Sequence, residues 1–503
     1  MCERKKHCEQ NGEKTNEKMT NITPETRIMM MRSTDGRNTY RRQILAALAV
    51  SLGPFAAGLS KGYMSPAIAS MQESKQHEGA FSVSDQQASW IASLSLLGAF
   101  IGGILGGFAM RLGRRNVLIA TALPYTLAWL ATALSTGVHM LSAASFCGGM
   151  LICCINMTTQ VYVTEIAVPE IRGCLSSVLK ILSQIGILIS FAIGAYLNWY
   201  QLALLIAAAP VLLFFALFFI PETPSSLLLR GKEQEAEESL QWLRGPSADI
   251  RQELVTIRTN IRASQLCNGG HTSKLKALLS KRMTRPVLIT CGLMFFQRFT
   301  GANLFNFYAV KLFKKTFRTM NPHGGAIATS VAQLLASCLS GMLIDNVGRL
   351  PLLMISGVMM SIALAGFGSY AYYGDVFRNS TDIVQAEPGS YDWIPLVCVL
   401  TFTIAFALGI SPISSLLIGE LFPLEYRSTG SALATSFSHL CGFVNVKTAA
   451  DFQDHIGLYG LFWLYAGISV LCLLFVVFFV PETKGREIDE MDPKYVESLC
   501  INR

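Results

Sequence analysis

The sequence contains few charged residues. Only 15% of its 503 residues are Asp, Glu, Lys or Arg, whereas soluble globular domains carry about 25%. The mean hydropathy is +0.41 and 51% of the residues are hydrophobic. Many apolar residues fall in runs of about 20, the length that crosses a hydrocarbon core about 30 Å thick. These features exclude a soluble protein of several domains and predict an all-α membrane protein.

Residue patterns for metal binding, catalysis and nucleic-acid recognition are also missing from the sequence. The 13 cysteines show no metal-ligand spacing, and most lie inside apolar runs, where cysteine behaves as a small hydrophobe. No segment combines a nucleophile with a base. The net charge of +8 is spread over polar segments and the ends of apolar runs, as the positive-inside rule describes. We therefore expect no enzyme activity, cofactor, metal site or nucleic-acid partner.

Twelve apolar segments are spaced along the chain, and each is long enough to be a transmembrane helix. They are 43–63, 88–110, 116–135, 138–162, 174–197, 200–220, 286–310, 324–346, 350–373, 393–418, 428–450 and 457–480. The predicted organisation is a tail 1–42, a six-helix half 43–220, a linker 221–285 with short amphipathic helices, a second six-helix half 286–480 and a tail 481–503.

The distribution of basic residues predicts the orientation of the chain. Segment 1–42 and the linker are rich in Lys and Arg, so both termini are expected in the cytosol. The tail 1–42 lacks an apolar stretch, and no cleavable signal peptide is expected. The segment near 374–392 then faces outward and carries a sequon at Asn379, which predicts glycosylation. We expect a monomer that is surrounded by the lipid bilayer of the plasma membrane.

Three sequence motifs occur twice, once in each predicted half. GGFAMRLGRR (106–115) matches SGMLIDNVGRL (340–350), YVTEIAVPEIRG (162–173) matches IGELFPLEYRSTG (418–430), and PETPSS (221–226) matches PETKGR (481–486). Each motif follows the equivalent span of its half, which indicates two parallel six-helix repeats. Parallel repeats that hold a solute between them near the bilayer midplane are typical of transporters.

The repeated motifs place arginines and carboxylates at the cytosolic ends of the spans. We expect these groups to pair across the two halves when the cytosolic side is closed and to separate when it opens, since Arg–carboxylate pairs are directional. The alternative is that they only set the membrane topology. The predicted latch consists of Arg111, Arg114, Arg115, Glu165, Arg172, Asp345, Arg349, Glu420 and Arg427.

GMLIDNVGRL, ELFPLEYRSTG, PETKGR and FFQRFTGANLFNFY together resemble the sugar porter family of the major facilitator superfamily. The resemblance covers about 43–490 and is greatest to facilitated glucose and trehalose transporters. It implies the twelve-helix major facilitator fold and a small-molecule substrate. By position, it implies a substrate site formed by Lys180, Gln184, Gln297, Arg298, Asn303, Gln333, Ser415, Ser438 and His439.

Several of these positions depart from the family pattern. Arg298 replaces the second glutamine of a sugar-binding pair, and Lys180 replaces a fifth-span glutamine. The sugar-stacking tryptophan of the tenth span is absent from the segment 411–415, and Ser438-His439 replaces an Asn-Trp pair. The resemblance therefore predicts the fold more firmly than the substrate.

Two of the substituted residues place positive charge inside the membrane. Arg298 lies 13 residues beyond Arg285, or about 20 Å along a helix, and Lys180 lies 8 residues beyond Arg172, or about 12 Å. A cation at mid-membrane costs about 2.5–3.5 kcal/mol unless it faces water. Lys180 has the alternative of snorkelling to the surface. Two such cations favour an anionic or strongly polar substrate.

No predicted span has a carboxylate near its centre, and proton relays usually require one. His439 is the one candidate for a titrating group in the core, so uniport is expected. The leading hypothesis is facilitated transport of a sugar such as glucose or trehalose. The alternatives are an organic-anion transporter that uses Lys180 and Arg298, and a receptor that binds a nutrient without moving it.

Overall fold

The computed structural model describes residues 36–73, 83–246, 248–266, 281–316, 320–379, 393–422 and 427–483. Within these ranges the regular elements are sixteen α-helices and two short 3₁₀ turns. The helices form two bundles, one from each half of the chain, with three short helices between them in sequence.

The first half contains six long helices. They are α1 (Gly36–Glu73), α2 (Asp85–Ala109), α3 (Arg114–Ala133), α4 (Val138–Ile166), α5 (Pro169–Ile193) and α6 (Trp199–Ala216). Local sequence explains several of the helix starts. Ser84 and Gln87 form a capping box before α2, and Pro169 occupies the first turn of α5, where no backbone N–H is needed.

Three short helices follow the first half: α7 (Pro224–Leu229), α8 (Glu233–Arg244) and α9 (Arg251–Leu266). Arg244, at the end of α8, attaches them to the bundle. Its guanidinium donates to the carbonyl oxygen of Ile166 at 2.9 Å and forms an ion pair with Glu253 at 2.6 Å. We call the end of the molecule where these helices meet α4 the linker end.

The second half contains α10 (Lys281–Phe299), α11 (Ala302–Thr316), α12 (Pro322–Val347), α13 (Arg349–Asn379), α14 (Trp393–Leu408), α15 (Ile410–Leu421) and α16 (Arg427–Phe479). Helices and crossings do not correspond one to one in this half. The seventh crossing is divided between α10 and α11, and the tenth is divided between α14 and α15. Helix α16 contains two crossings that meet at Gly457, whose φ is 74°.

Ten helices are long and apolar enough to cross a membrane by themselves. The 50-residue stretch Gly430–Phe479 accounts for two crossings, and α10 with α11 supplies one more, which gives twelve among the described residues. The predicted twelve-helix membrane fold is therefore confirmed.

The first span is longer than predicted. It was expected to end at residue 63, but the apolar helix runs from Tyr40 to Gln72. Pro66 lies inside it, and such prolines are tolerated in membrane helices because neighbouring groups satisfy the freed backbone. The correction moves Lys61 from the end of the span to its interior.

The repeated motifs form the same structure in both halves. Gly113 and Gly348 have φ values of 105° and 107°, a region that favours glycine, and each directly precedes the arginine that begins α3 or α13. Glu222 of the first PET motif accepts from the backbone N–H of Arg114 at 2.9 Å. The equivalent Glu482 accepts from the N–H of Leu350 at 2.8 Å.

The most extensive contacts between the two halves, among the described residues, are those of α1 with α11, α2 with α16, and α5 with α12. The remaining large helix contacts lie within one half, for example α2 with α4 and α13 with α16. A surface between two separately packed bundles is therefore available for a solute site.

Candidate substrate site

A cavity of about 360 Å³ lies between the two halves. Helices α1, α2 and α4 line one side, and α11 and α16 line the other. Its polar side chains are Ser60, Lys61, Ser95, Asn156, Gln160, Ser431, Thr435 and His439. Such a volume falls in the usual range for small-molecule sites, about 300–1,000 Å³.

The cavity extends toward the linker end of the molecule. On α4 its lining residues run from Gly149 to Val161, which is about 18 Å along the helix. On α16 they run from His439 back to Ser431, near the start of that helix. Lys61 therefore lies near the inner end of the cavity and Gln160 near its outer end.

Polar contacts between the two halves close the opposite end. Lys311 forms an ion pair with Asp85 at 2.8 Å, and the amide of Gln86 donates to Asp451 at 2.7 Å. The backbone N–H of Val310 donates to the hydroxyl of Ser65 at 2.9 Å. These contacts place α2 against α16 and α1 against α11 between the cavity and that end.

The predicted latch residues form ion pairs within each half. Arg114 contacts Glu165 at 2.7 Å, and the equivalent Arg349 contacts Glu420 at 3.1 Å. Each ion pair that the structure describes at the linker end lies within one half or within the linker helices. In this conformation the latch residues do not join the halves through any described ion pair.

The other latch residues have varied surroundings. Arg115 donates from Nε to the carbonyl oxygen of Leu217 at 2.8 Å, and Arg111 lies over the ring of Phe108. Arg172 donates to the carbonyl oxygen of Ala167 at 3.4 Å. The side chains of Asp345, Arg427 and the predicted glycosylation site Asn379 lie outside the described part of the structure.

Four of the predicted substrate residues come together beside the cavity. Arg298 donates from Nε to the hydroxyl of Ser438 at 2.7 Å and from Nη1 to the side-chain oxygen of Asn303 at 3.4 Å. His439 follows Ser438 and lines the cavity, where its Nε2 lies 3.8 Å from Sγ of Cys153.

The other five predicted substrate residues lie elsewhere. The amide of Gln297 donates to the carbonyl oxygen of Ser411 at 3.0 Å. Gln333 lines a separate cavity of about 20 Å³. Lys180 and Ser415 are exposed, Gln184 is partly buried, and none of these three lines the central cavity.

Of the polar residues that line the cavity, His439 belonged to the predicted site. The others were missing from it: Ser60, Lys61, Ser95, Asn156, Gln160, Ser431 and Thr435. Lys61 is exposed to the cavity, and a lysine within an apolar run was a usable signal. It was not used because the first span was expected to end at residue 63. Asn156 and Gln160 lie one helical turn apart on α4, a spacing that places both on one face.

Two repeated six-helix halves around a polar cavity define a membrane transporter. The sequence profile of the family described as "Sugar (and other) transporter" matches residues 46–495. The chain belongs to this family, the sugar porters of the major facilitator superfamily.

Named relatives and solved structures agree with this assignment. The facilitated trehalose transporter Tret1 of Apis mellifera ligustica is 38% identical over 462 residues, which cover 91% of this chain and 88% of that protein. Tret1 of Anopheles gambiae is 38% identical over 453 residues, 90% of this chain but 56% of that longer protein.

The fold is similar to that of the xylose transporter XylE from E. coli in its partially occluded inward open conformation. The TM-score is 0.73 at 22% identity, over 88% of this chain and 99% of that chain. This similarity shows the major facilitator fold.

Proposed function

We propose that the protein is a facilitative transporter of a small polar solute, a sugar of the glucose or trehalose type. The main support is a polar cavity between two repeated halves whose opposite end is closed by contacts between those halves. The relatives described as facilitated trehalose transporters support a sugar as the solute.

Transport would proceed by alternating access. Rocking one half against the other would break the Asp85–Lys311 pair and the Gln86–Asp451 hydrogen bond. The same movement would bring the linker ends of the halves together. The latch residues Arg114, Glu165, Arg349 and Glu420, which now pair within each half, would then pair across the interface. The cavity would then face the other side of the membrane.

We further propose that the linker end faces the cytosol and that the protein is a monomer in the plasma membrane. The basic residues of the tail 1–42 and of the linker support this orientation. In this orientation Asn379 is on the outer side, and treatment of the purified protein with an amide-cleaving glycosidase tests its glycosylation by a decrease in mass.

Transport without proton coupling is supported by the composition of the cavity. No Asp or Glu occurs among the described residues that line it, and a proton relay usually requires such a carboxylate. We therefore expect the sugar flux to be independent of a proton gradient.

Uptake into liposomes by the purified protein tests this function. Saturable flux of labelled trehalose or glucose, unchanged by a pH gradient of two units, is the expected result. Binding of sugar without flux would favour the receptor hypothesis instead. Flux that rises with an inward proton gradient would contradict uniport and support coupling through His439.

A pair of tryptophan substitutions provides a matched control. Thr435→Trp places a large ring in the cavity and should reduce uptake at least tenfold. Leu105→Trp adds a similar ring on α2 at a side chain that is 50% exposed on the outer surface, and should leave uptake within twofold. Equal uptake by both variants would show that the solute does not pass through this cavity.

A further inference from the structure

Three nitrogen-containing side chains meet around the inner end of the cavity: Lys61, Arg298 and His439. Lys61 from α1 and His439 from α16 line the cavity directly. Arg298 lies behind His439, and its Cδ packs near Gly442 beside the lining residue Leu96. Arg298 is held there by its hydrogen bond to Ser438, the residue that precedes His439.

No acidic group in the described part of the structure offsets this charge. Lys61 has neither an ion pair nor a hydrogen bond there, and the described side-chain partners of Arg298 are the neutral Ser438 and Asn303. A guanidinium has five N–H donors, and these two bonds use only two of them. The buried Nδ1 of His439 also has no hydrogen-bond partner among the described residues.

Two other lysines at the interface between the halves, both mostly shielded from solvent, are paired with carboxylates. Lys311 contacts Asp85 at 2.8 Å, and Lys447 lies 3.8 Å from Asp451. A structural cation removed from bulk water is normally compensated in this way, because an unpaired buried charge is costly. Lys61 and Arg298 lack this compensation at the position where a solute would bind.

We propose that Lys61, Arg298 and His439 form a subsite for the carboxylate of the transported solute. The substrate class would then be a hydroxylated organic acid of sugar size, such as a uronate or an aldonate. Its hydroxyl groups would contact Ser60, Asn156 and Thr435, which line the same cavity. This inference rests on the proposed transport of a small polar solute, and it replaces the neutral sugar of that proposal by an acidic sugar derivative as the substrate class.

The position of Lys61 in the cavity favours it over Lys180 as the cation that acts together with Arg298. Lys180 is exposed on α5 and does not line the cavity, whereas Lys61 projects into it. A carboxylate beside Lys61 in the cavity would receive a charge-assisted hydrogen bond, which is stronger than a bond between neutral groups. The Arg298 guanidinium behind the lining residue His439 would add electrostatic attraction for the same carboxylate. A neutral sugar in the same place would leave both cations without a counter-charge.

The ratio of the affinities for glucuronate and glucose tests the subsite. We expect the purified protein to bind glucuronate at least tenfold more tightly than glucose in a calorimetric titration. Lys61→Gln and Arg298→Gln should each reduce this ratio at least tenfold. Lys61→Arg, which retains the charge, should keep the ratio within threefold, and Lys232→Gln in the exposed linker pair should not change it.

The possible results separate the subsite from the transport function. Equal affinities for the two ligands, or an unchanged ratio in Lys61→Gln, would overturn the subsite even if sugar transport is observed. If glucuronate binds as expected but neither compound crosses the liposome membrane, the transport function fails and the anion site stands.

Modification of Cys153 gives a second test that needs no substrate. Cys153 lines the cavity beside His439, so its reaction with charged methanethiosulfonates reports the local potential. The measured quantity is the rate of Cys153 modification by the anionic reagent divided by the rate with the cationic reagent. Lys61→Gln should lower this ratio at least fivefold, and Lys61→Arg should leave it unchanged. Cys153→Ser gives the background from other cysteines. An unchanged ratio in Lys61→Gln would overturn the proposal.

Discussion

Asn445 satisfies a backbone group that the interruption of the seventh crossing leaves without a helical partner. Helix α10 ends at Phe299, so its last carbonyl groups lack the N–H donors of a continuous helix. The side-chain amide of Asn445 donates to the carbonyl oxygen of Arg298 at 2.6 Å. Its oxygen accepts from the hydroxyl of Tyr465 at 2.9 Å. One side chain thus connects the residue beside the cavity with the last crossing.

Asn445→Ala should lower the free energy of unfolding by about 1–3 kcal/mol, because it leaves two buried polar groups unpaired. Thermal unfolding in detergent measures the change. Thr448→Ala is the control, since Thr448 is only partly buried and its hydroxyl bonds to carbonyls of its own helix. Similar losses in both variants would contradict the role assigned to Asn445.

Gly113 gives a second prediction at the residue scale. Its φ is 105°, and an added Cβ would lie 2.4 Å from Oε2 of Glu222. We expect Gly113→Ala to destabilise the protein by about 1–2 kcal/mol from the backbone conformation alone. Gly107→Ala, where no atom lies within 4 Å of the added Cβ, should be neutral or stabilising by up to about 1 kcal/mol. Unfolding curves of the two variants make the comparison.

At the scale of helices, each copy of the PET motif supplies a glutamate that caps the N-terminus of a distant helix in the same half: α3 in the first half and α13 in the second. Glu222 accepts from the backbone N–H groups of Arg114 and Arg115 at 2.9 and 3.1 Å. Glu482 makes the equivalent bonds at the start of α13. A carboxylate is favourable there because the first N–H groups are unpaired and the helix dipole is positive. The cap also attaches the end of the sixth or twelfth crossing to the third or ninth.

Glu222→Gln should therefore reduce stability by about 0.5–2 kcal/mol, the usual range for a lost helix cap. Glu482→Gln should have the same sign and a similar size, because the two motifs are structural equivalents. The measurement is thermal unfolding at constant ionic strength. Glu237→Gln, on the exposed face of α8, is the matched control. A loss in only one half would show that the two caps are not equivalent.

At the scale of the whole molecule, the balance between conformations depends on the contacts that close the end opposite the linker. The Asp85–Lys311 ion pair joins α2 to α11 across the two halves. Asp85 is half exposed, so the pair contributes at most about 1 kcal/mol. A change of that size alters the equilibrium constant between two conformations about fivefold, which is enough to alter a transport cycle.

Asp85→Asn should lower, by two- to fivefold, the ratio of the conformation whose cavity is open toward the linker end to the conformation that is open on the opposite side. The rate of Cys153 modification from that side should fall by the same factor. The charge-reversed double variant Asp85→Lys with Lys311→Asp should restore the rate. If the single variant reacts as fast as the unaltered protein, this ion pair does not control the conformational balance.

The fold could be predicted because the bilayer permits few structures. An apolar run of about 20 residues must satisfy its backbone internally, so each run becomes a helix. The repeated motifs then indicated two parallel halves. The exceptions were local: Pro66 did not end α1, the seventh crossing was interrupted at Thr300 and Gly301, and the tenth was interrupted at Gly409.

The lining of the cavity could not be predicted in the same way. Lys180 and Gln333 occupy positions that the family resemblance assigns to the site, but neither lines the central cavity, whereas Lys61 does. Hydrophobic patterns determine that a segment crosses the membrane, while packing against neighbouring helices determines its rotation and tilt. With about 3.6 residues per turn, a small rotation exchanges the residues that face the cavity for those that face lipid. The sequence was therefore sufficient for the number and order of the crossings, and the packing of the two halves selects the side chains that meet the solute.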